Sequence, residues 1–162
     1  MFVLGIDPGL TRTGYGIVER DGAVERAVSA GVIRTDPDLP ISIRLLEIRH
    51  DLEAVLDDHP VDAAAIEQVF VNRNRTTAMA VARASGVLMA TIADRGTEVV
   101  EYTPSQMKLT ITGSGSADKE QLAAVLGLRL GASVAGPVDA VDALGVALCH
   151  IQHLSLAAAV RR

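Results

Sequence analysis

Phe2-Val3-Leu4-Gly5-Ile6-Asp7-Pro8-Gly9 is the stretch that decides the fold. Its apolar residues predict a buried β-strand, and the Pro-Gly pair that follows ends the strand. The strand places the carboxylate of Asp7 at the edge of a sheet, where the core holds it and solvent reaches it. A carboxylate in such an apolar setting needs a hydrogen bond, a counter-charge or a metal ion. We therefore expect the rest of the chain to supply partners for Asp7.

The length and composition indicate a single domain. Of the 162 residues, 49% are apolar and only 2% aromatic, so aliphatic side chains build the core. We assign residues 1–156 to this domain and expect residues 157–162 to form a frayed end. The lone Cys149 offers neither a disulfide nor a zinc cluster, and no secretory signal is apparent, which favours a cytoplasmic protein. The longest near-apolar stretch, residues 78–93, is too short to cross a bilayer, so we expect no membrane association.

The charge is unevenly distributed along the chain. The net charge of −5 argues weakly against a nucleic-acid partner when it is taken alone. Residues 36–67, however, contain nine acidic residues and two arginines, whereas residues 69–93 contain three arginines and no acid. One surface is therefore expected to be acidic and another basic, which is compatible with a polyanion bound on one face.

The order of the predicted elements favours an α/β fold with a mixed sheet. The elements are strands at 2–7, 15–20 and 23–34, a helix at 41–58, a strand at 63–66, a helix at 76–95, a strand at 97–102, and helices at 104–109, 119–130 and 137–156. Short turns make the first three strands an antiparallel meander. The helix at 41–58 is a crossover, so the strand after it is expected to run parallel to the first. That strand leads into Glu67, so Asp7 and Glu67 are predicted to share the edge where open α/β sheets bind ligands.

The helix at 76–95 is apolar on nearly every side, with Arg83 as the only charge in its central part. A helix of this kind is buried on more than one side. One side covers the sheet, and we expect the other to contact a second copy of the chain in a homodimer. Burial beneath the chain's own helices is the alternative.

Asp139 and Asp142 begin the last helix, three residues apart and therefore on one face. Acids at a helix N-terminus often serve only as caps that the helix dipole stabilises, and this interpretation stays open for the pair taken alone. Together with Asp7 and Glu67 they make four carboxylates, which repel one another unless protons or cations neutralise them. Ligands that are all oxygen favour Mg²⁺ or Mn²⁺ over zinc. Two such ions on shared carboxylates make a phosphoryl-transfer site.

Six ordered motifs resemble the RuvC family of Holliday junction resolvases. They are Gly-Ile-Asp-Pro-Gly at 5–9, Thr-Gly-Tyr-Gly at 13–16, Ile-Glu-Gln-Val-Phe at 66–70, Thr-Pro-Ser-Gln at 103–106 with Lys108, Gly-Ser-Ala-Asp-Lys at 115–119 and Asp-Ala-Val-Asp-Ala-Leu at 139–144. The resemblance covers nearly the whole chain. It implies a ribonuclease-H-like nuclease domain, with a mixed five-stranded sheet flanked by helices on both faces.

The resemblance also implies an activity. The expected enzyme is a homodimeric crossover junction endodeoxyribonuclease that resolves four-way DNA junctions by paired symmetric nicks in recombination and repair. Its acidic tetrad falls on Asp7, Glu67, Asp139 and Asp142, and holds two Mg²⁺ or Mn²⁺ ions in each active site. Some members carry histidine at the position of Asp139, which leaves the proton-transfer group open. The RuvA–RuvB branch-migration complex is the implied partner.

The residues predicted to contact DNA are Phe70, Arg73, Arg75, Lys108, Lys119 and Arg12. We expect the ring of Phe70 to stack on an unpaired base, with packing under the next helix as the alternative. Arg73 and Arg75 are predicted phosphate contacts, and a solvated loop is the alternative for both. The resemblance places the two lysines near the scissile phosphate, where a cation offsets negative charge in the transition state.

Two other functions stay open at this point. Asp-Pro-Gly followed by Thr-Gly resembles the phosphate hairpin of actin-like ATPases, although those proteins need two such domains around the nucleotide. A junction-binding protein without catalytic activity is the other alternative. No role is predicted for the histidines, and His150 and His153 are expected on the surface of the last helix.

Overall fold

A computed structural model describes residues 1–69, 75–131 and 137–160. In this part of the chain the elements are β1 (Phe2–Asp7), β2 (Arg12–Asp21), β3 (Val24–Arg34), α1 (Ile41–Asp58), β4 (Ala63–Glu67), α2 (Arg75–Asp94), β5 (Val99–Tyr102), α3 (Pro104–Thr112), α4 (Lys119–Leu130) and α5 (Val138–Val160).

The five strands form one mixed sheet in the order β3-β2-β1-β4-β5. β1 pairs antiparallel with β2 and β2 with β3, whereas β1 pairs parallel with β4 and β4 with β5. Gly22 adopts a φ of 60° in the tight turn between β2 and β3, a conformation that glycine adopts readily. The predicted meander and parallel strands are confirmed.

Helices cover both faces of the sheet, as predicted. On one face Leu4, Ile6 and Ile17 of the strands form a core with residues of α1 and α2. On the other face Val3, Val18 and residues of α3, α4 and α5 form a second core. Successive strand residues point to opposite faces, so each central strand contributes to both cores.

α5 lies unusually close to the sheet because glycines face it. A β-carbon placed on Gly5 would lie 2.1 Å from the carbonyl oxygen of Ala143, and one on Gly16 would lie 2.7 Å from the amide nitrogen of Leu144. No side chain fits at such distances, so glycine is required where the helix and strand backbones approach. This contact fixes where α5 begins relative to β1 and β2.

α2 is buried on only part of its surface in the single chain. Ala84, Leu88 and Ile92 pack in the core with α1 and the sheet. A stripe on its other side is exposed and consists mainly of small or apolar residues, namely Met79, Ala82, Arg83, Gly86, Ala90 and Ala93. The alternative of complete burial beneath the chain's own described helices is therefore wrong.

Several local predictions differ from the structure: α3 extends to Thr112 rather than ending at residue 109, and β5 begins at Val99 rather than at residue 97. β2 begins at Arg12 rather than at residue 15, so Arg12 belongs to a strand and not to a turn. α5 continues through residues 157–160, because this Ala-Ala-Ala-Val segment contains no helix breaker. His150 is buried rather than on the surface, and its Nδ1 lies 2.9 Å from the hydroxyl of Tyr102, which gives the ring a polar partner.

The prediction of no membrane association considered only residues 78–93, although two apolar helices of the structure are longer than this stretch. α2 and α5 are both long and apolar enough to cross a bilayer by length and composition alone. Half of the most apolar window of α5 is nevertheless buried within the protein, where the helix packs against the sheet. The hydropathy of α5 is thus that of a core helix.

Candidate active site

Asp7 and Glu67 end two neighbouring strands at the same edge of the sheet. β1 and β4 run parallel with Ile6 opposite Ile66, so the next residue of each strand is one of the two acids. Both isoleucines are fully buried, whereas the acids that follow them are partly exposed. The predicted shared edge is confirmed.

α5 brings the other two acids to this edge. Asp7 pairs with Gly14 across β1 and β2, and a β-carbon on Gly14 would lie 2.0 Å from the carbonyl oxygen of Asp139. The first turn of α5 therefore rests on strand backbone beside Asp7. Asp142 follows three residues later on the same side of the helix.

Thr13 fixes the loop that follows Asp7. Its buried hydroxyl donates to the carbonyl oxygen of Gly9 at 2.6 Å and accepts a hydrogen bond from the Gly9 amide at 3.3 Å. The loop is thereby closed on itself at its junction with β2, so the backbone beside Asp7 has little freedom.

The acids influence one another electrostatically. Burial raises the pKa of Asp7 from 3.8 to about 7, and the negative charges of Glu67, Asp142 and Asp139 add to this increase, while Lys119 opposes it. Burial also raises the pKa of Glu67, and the negative charge of Asp142 adds to this increase. Two strand acids of perturbed pKa at a sheet edge are typical of a functional site.

Three basic side chains lie beside this acidic group. Arg12 donates from Nε to Oδ2 of Asp139 at 2.6 Å, and its Nη2 lies 2.6 Å from the same oxygen. Nζ of Lys119 lies 3.3 Å from Oδ2 of Asp142. The charges of Lys119 and Lys108 both lower the pKa of Glu67.

The carboxylates do not form a closed metal cage. Across the described residues, no three acidic, histidine or cysteine side chains are arranged so that they enclose an ion. The reason is visible in the ion pairs, because Asp139 and Asp142 turn toward Arg12 and Lys119.

The donor set nevertheless fits a hard divalent cation. All four groups offer oxygen, which is the donor that Mg²⁺ and Mn²⁺ prefer. A dipositive ion would also compensate the repulsion that raises the pKa of Asp7. The charge of Asp142 contributes to the raised pKa of both Asp7 and Glu67, so these three residues are the candidates to hold such an ion.

The predicted DNA contacts fall in different places. Phe70 and Arg73 lie outside the described residues. Arg75 is exposed at the first residue of α2. Lys108 lies on α3, and Lys119 begins α4 next to its N-cap Asp118. The two lysines and Arg12 therefore face the acidic group, whereas Arg75 has no ion pair with any described acid.

Sequence reasoning missed the residues that bring these groups together. Gly5, Gly14 and Gly16 set the position of α5. Gly5 and Gly16 lay within predicted strands, where an isolated glycine signals a close backbone approach, whereas Gly14 lay before the predicted second strand. Buried Arg44 was missed as well, since a single arginine within an amphipathic helix carries no signal of burial.

Comparison with known proteins identifies the family. Residues 3–150 match the family described as Crossover junction endodeoxyribonuclease RuvC. A protein of that name from Rhodococcus opacus is 46% identical over 153 residues, which cover 93% of this chain and 80% of the relative. One from Bradyrhizobium diazoefficiens is 42% identical over 151 residues, which cover 93% of this chain and 86% of the relative.

A solved structure agrees with the sequence match. The structure of Thermus thermophilus RuvC in complex with a Holliday junction substrate superposes with a TM-score of 0.91 at 33% identity, covering 97% of this chain and 96% of that chain. The match thus extends over the sheet, α5 and the edge where the four acids meet. The chain belongs to the RuvC family of crossover junction endodeoxyribonucleases.

Proposed function

We propose that this chain resolves four-way DNA junctions with paired symmetric nicks, using Asp7, Glu67, Asp139 and Asp142 as its catalytic acids. One observation carries the proposal: acids from β1, β4 and α5 lie at one sheet edge, where burial and then the charges of the neighbouring acids raise the pKa of Asp7. Such mutual repulsion has no structural benefit, so the acids are retained for a ligand or a reaction. Within the RuvC family, that reaction is cleavage of Holliday junctions.

The metal requirement follows from the donor chemistry. Asp7, Glu67 and Asp142 would hold one or two Mg²⁺ or Mn²⁺ ions, with Asp139 as a further ligand or as the group that orients water. When bound, such ions activate the attacking water and stabilise the leaving oxygen. The charge of each of the other three acids contributes to the raised pKa of Asp7, which supports a role for Asp7 in binding both ions.

The basic side chains have a second task in this proposal. Lys108 and Lys119 lie close enough to the acids to change the pKa of Glu67, so both also lie close to a phosphate bound there. Their charge would offset that of the pentavalent transition state. Arg12, Arg75 and the loop residues Phe70 and Arg73 remain the predicted contacts to the flanking DNA.

Paired nicks require two active sites, and we propose that α2 supplies the dimer contact. Its exposed stripe of small residues, which includes Ala82, Gly86 and Ala90, allows a close approach of a second helix. Met79 is 58% exposed at one end of the stripe and would be buried by a partner. We further propose that the protein is cytoplasmic and acts after the RuvA–RuvB complex, in keeping with its family.

A cleavage assay on synthetic four-way junctions tests the proposal. The wild-type chain should nick two strands of like polarity at symmetric positions when Mg²⁺ or Mn²⁺ is present, and should not do so in EDTA. Asp7→Asn should abolish nicking while retaining junction binding. Asp58→Asn, which removes an exposed acid at the end of α1, is the matched control and should cut normally.

The same assay separates the alternatives. Junction binding by the wild-type chain without cleavage under any divalent ion would favour the non-catalytic junction-binding protein. Normal cutting by Asp7→Asn would refute the assignment of Asp7. The match to the RuvC family over residues 3–150 disfavours the nucleotide-binding alternative.

A further inference from the structure

A pocket lies behind the loop that joins β1 to β2. Gly9, Thr11 and Arg12 form one wall, and Thr76 and Ala80 of α2 form part of the opposite wall. Arg44 of α1 reaches the pocket from below. The described residues that line it include two arginines, Arg12 and Arg44, and no acid.

Arg44 is buried without a counter-charge. Arg44 is only 8% exposed, yet its guanidinium has no ion pair with any acid among the described residues. Nε donates to the hydroxyl of Thr35 at 2.9 Å, and Nη2 donates to the hydroxyl of Thr11 at 2.6 Å. Buried charges are usually paired with an opposite charge, because hydroxyl partners compensate desolvation only in part.

The hydrogen bonds of Arg44 leave donors available on the pocket side. Nη1 of Arg44 has no hydrogen-bond partner among the described residues. Every buried side-chain nitrogen of the described residues has a partner, so Nη1 is accessible to solvent. The Thr11 hydroxyl accepts from Arg44 and therefore keeps its own proton to donate outward. A planar guanidinium with an adjacent hydroxyl suits the oxygens of a phosphate.

The pocket adjoins the acidic group. Arg12 lines the pocket and also bonds Asp139, and Gly9 lies two residues after Asp7. Arg12 thus links the pocket to the acids, which makes a phosphate next to the one at the acids the candidate ligand of the pocket.

We propose that this pocket binds one non-scissile phosphodiester of the junction strand that is cut, with Arg44 as its buried cation. The inference rests on the proposed function, since it takes junction DNA as the ligand. Anchoring a second phosphate fixes the position of the strand relative to the acids, which makes Arg44 a residue of substrate binding as well as a strut between α1 and the β1–β2 loop.

A neutral-backbone scan tests the proposal. Junctions carrying a single methylphosphonate at successive positions are titrated against the wild-type chain and against Arg44→Gln in EDTA, where no cleavage occurs. At one position flanking the cut site, the methylphosphonate should weaken junction binding by the wild type on the order of 10-fold. Binding by Arg44→Gln should not change at that position. The salt slope of binding should fall by about 0.7–0.9 in Arg44→Gln, as expected for one lost phosphate contact. Equal sensitivity of both proteins at every position would overturn the proposal.

A second variant covers the case in which Arg44→Gln does not fold. Thr76→Glu places a negative charge at the pocket mouth without removing any bond of Arg44. It should weaken junction binding on the order of 10-fold, whereas Ala54→Glu, which adds the same charge to an exposed position of α1, should bind nearly as the wild type does. Equal losses in the two variants would show that net charge alone is responsible and would overturn the proposal.

A last arm separates DNA phosphate from a free anion. Thermal unfolding of the wild-type chain without DNA is compared in phosphate and chloride at equal ionic strength. An equal Tm in the two salts at about 1 mM phosphate supports a DNA phosphodiester as the ligand. A Tm that phosphate raises in the wild type but not in Thr76→Glu would assign the pocket to free phosphate. Because binding is measured without metal, failed cleavage would refute the proposed function while leaving this binding result interpretable.

Discussion

Asp7→Asn should stabilise the metal-free protein above neutral pH, although we expect it to abolish cleavage. Burial and three neighbouring acids raise the pKa of Asp7 from 3.8 to about 7. Because the pKa is higher in the folded state than in the unfolded chain, folding favours the protonated acid. The stability that Asp7 contributes is therefore complete below pH 3.8 and is lost as the pH rises to about 7. Asparagine carries no charge and avoids this loss.

The size of the effect follows from the same difference in pKa. An increase from 3.8 to about 7 corresponds to a penalty of at most about 4 kcal/mol for the ionised form. Solvent and salt reach the partly exposed carboxylate, so we expect about 2 kcal/mol in practice. For a protein of this length, that gain raises Tm by about 4–8 °C.

The measurement is thermal unfolding followed by circular dichroism, in EDTA, at several pH values from 5 to 8. The gap between Asp7→Asn and the wild type should be widest at the highest pH and should narrow steadily as the pH is lowered. Mg²⁺ should raise the Tm of the wild type more than that of the variant, and Asp58→Asn should unfold as the wild type does. A variant that is no more stable than the wild type at pH 8 in EDTA would refute the electrostatic reasoning.

Three further predictions address other parts of the molecule. Gly14→Ala would place a β-carbon 2.0 Å from a carbonyl oxygen in the first turn of α5, so it should destabilise the fold by about 1–3 kcal/mol in chemical denaturation and greatly reduce cleavage. Gly127→Ala, where no atom lies within 4 Å, should be neutral or slightly stabilising. Lys119→Gln should shift the acidic limb of the cleavage–pH profile to higher pH, because Lys119 lowers the pKa of Asp7; an unchanged limb would contradict this. Gly86→Glu, on the exposed stripe of α2, should give a monomer in analytical ultracentrifugation with an unchanged circular dichroism spectrum, and a dimer of normal affinity would rule out α2 as the interface.

The linear order of the elements made most of the fold predictable. The apolar run that ends at Asp7, the hairpin signal at Asp21-Gly22 and the crossover before Glu67 determine the strand order and directions. Each signal is local, or depends on the handedness and direction rules of α/β connections. The position of the two strand acids follows directly, because parallel strands of one sheet end at the same edge.

The features that the sequence did not predict depend on contacts between residues that are distant along the chain. Nothing local in Gly14 shows that the backbone of Asp139 will rest against it, although the two are separated by most of the chain. The burial of Arg44 and His150 likewise depends on partners from other elements, Thr35 and Tyr102. Such pairings arise only when helices dock on the sheet, and periodicity along one helix does not reveal them.

The glycine contacts beneath α5 have a consequence for how this domain tolerates change. Helix and sheet meet there through main-chain atoms, which are identical in every amino acid, so the depth of the cleft above β1 does not depend on side-chain volume. Aliphatic residues elsewhere in the two cores can exchange size and shape without moving the carboxylates apart. The spacing of the four acids is therefore insensitive to volume changes in the interior, whereas a few positions beneath α5 admit no residue but glycine.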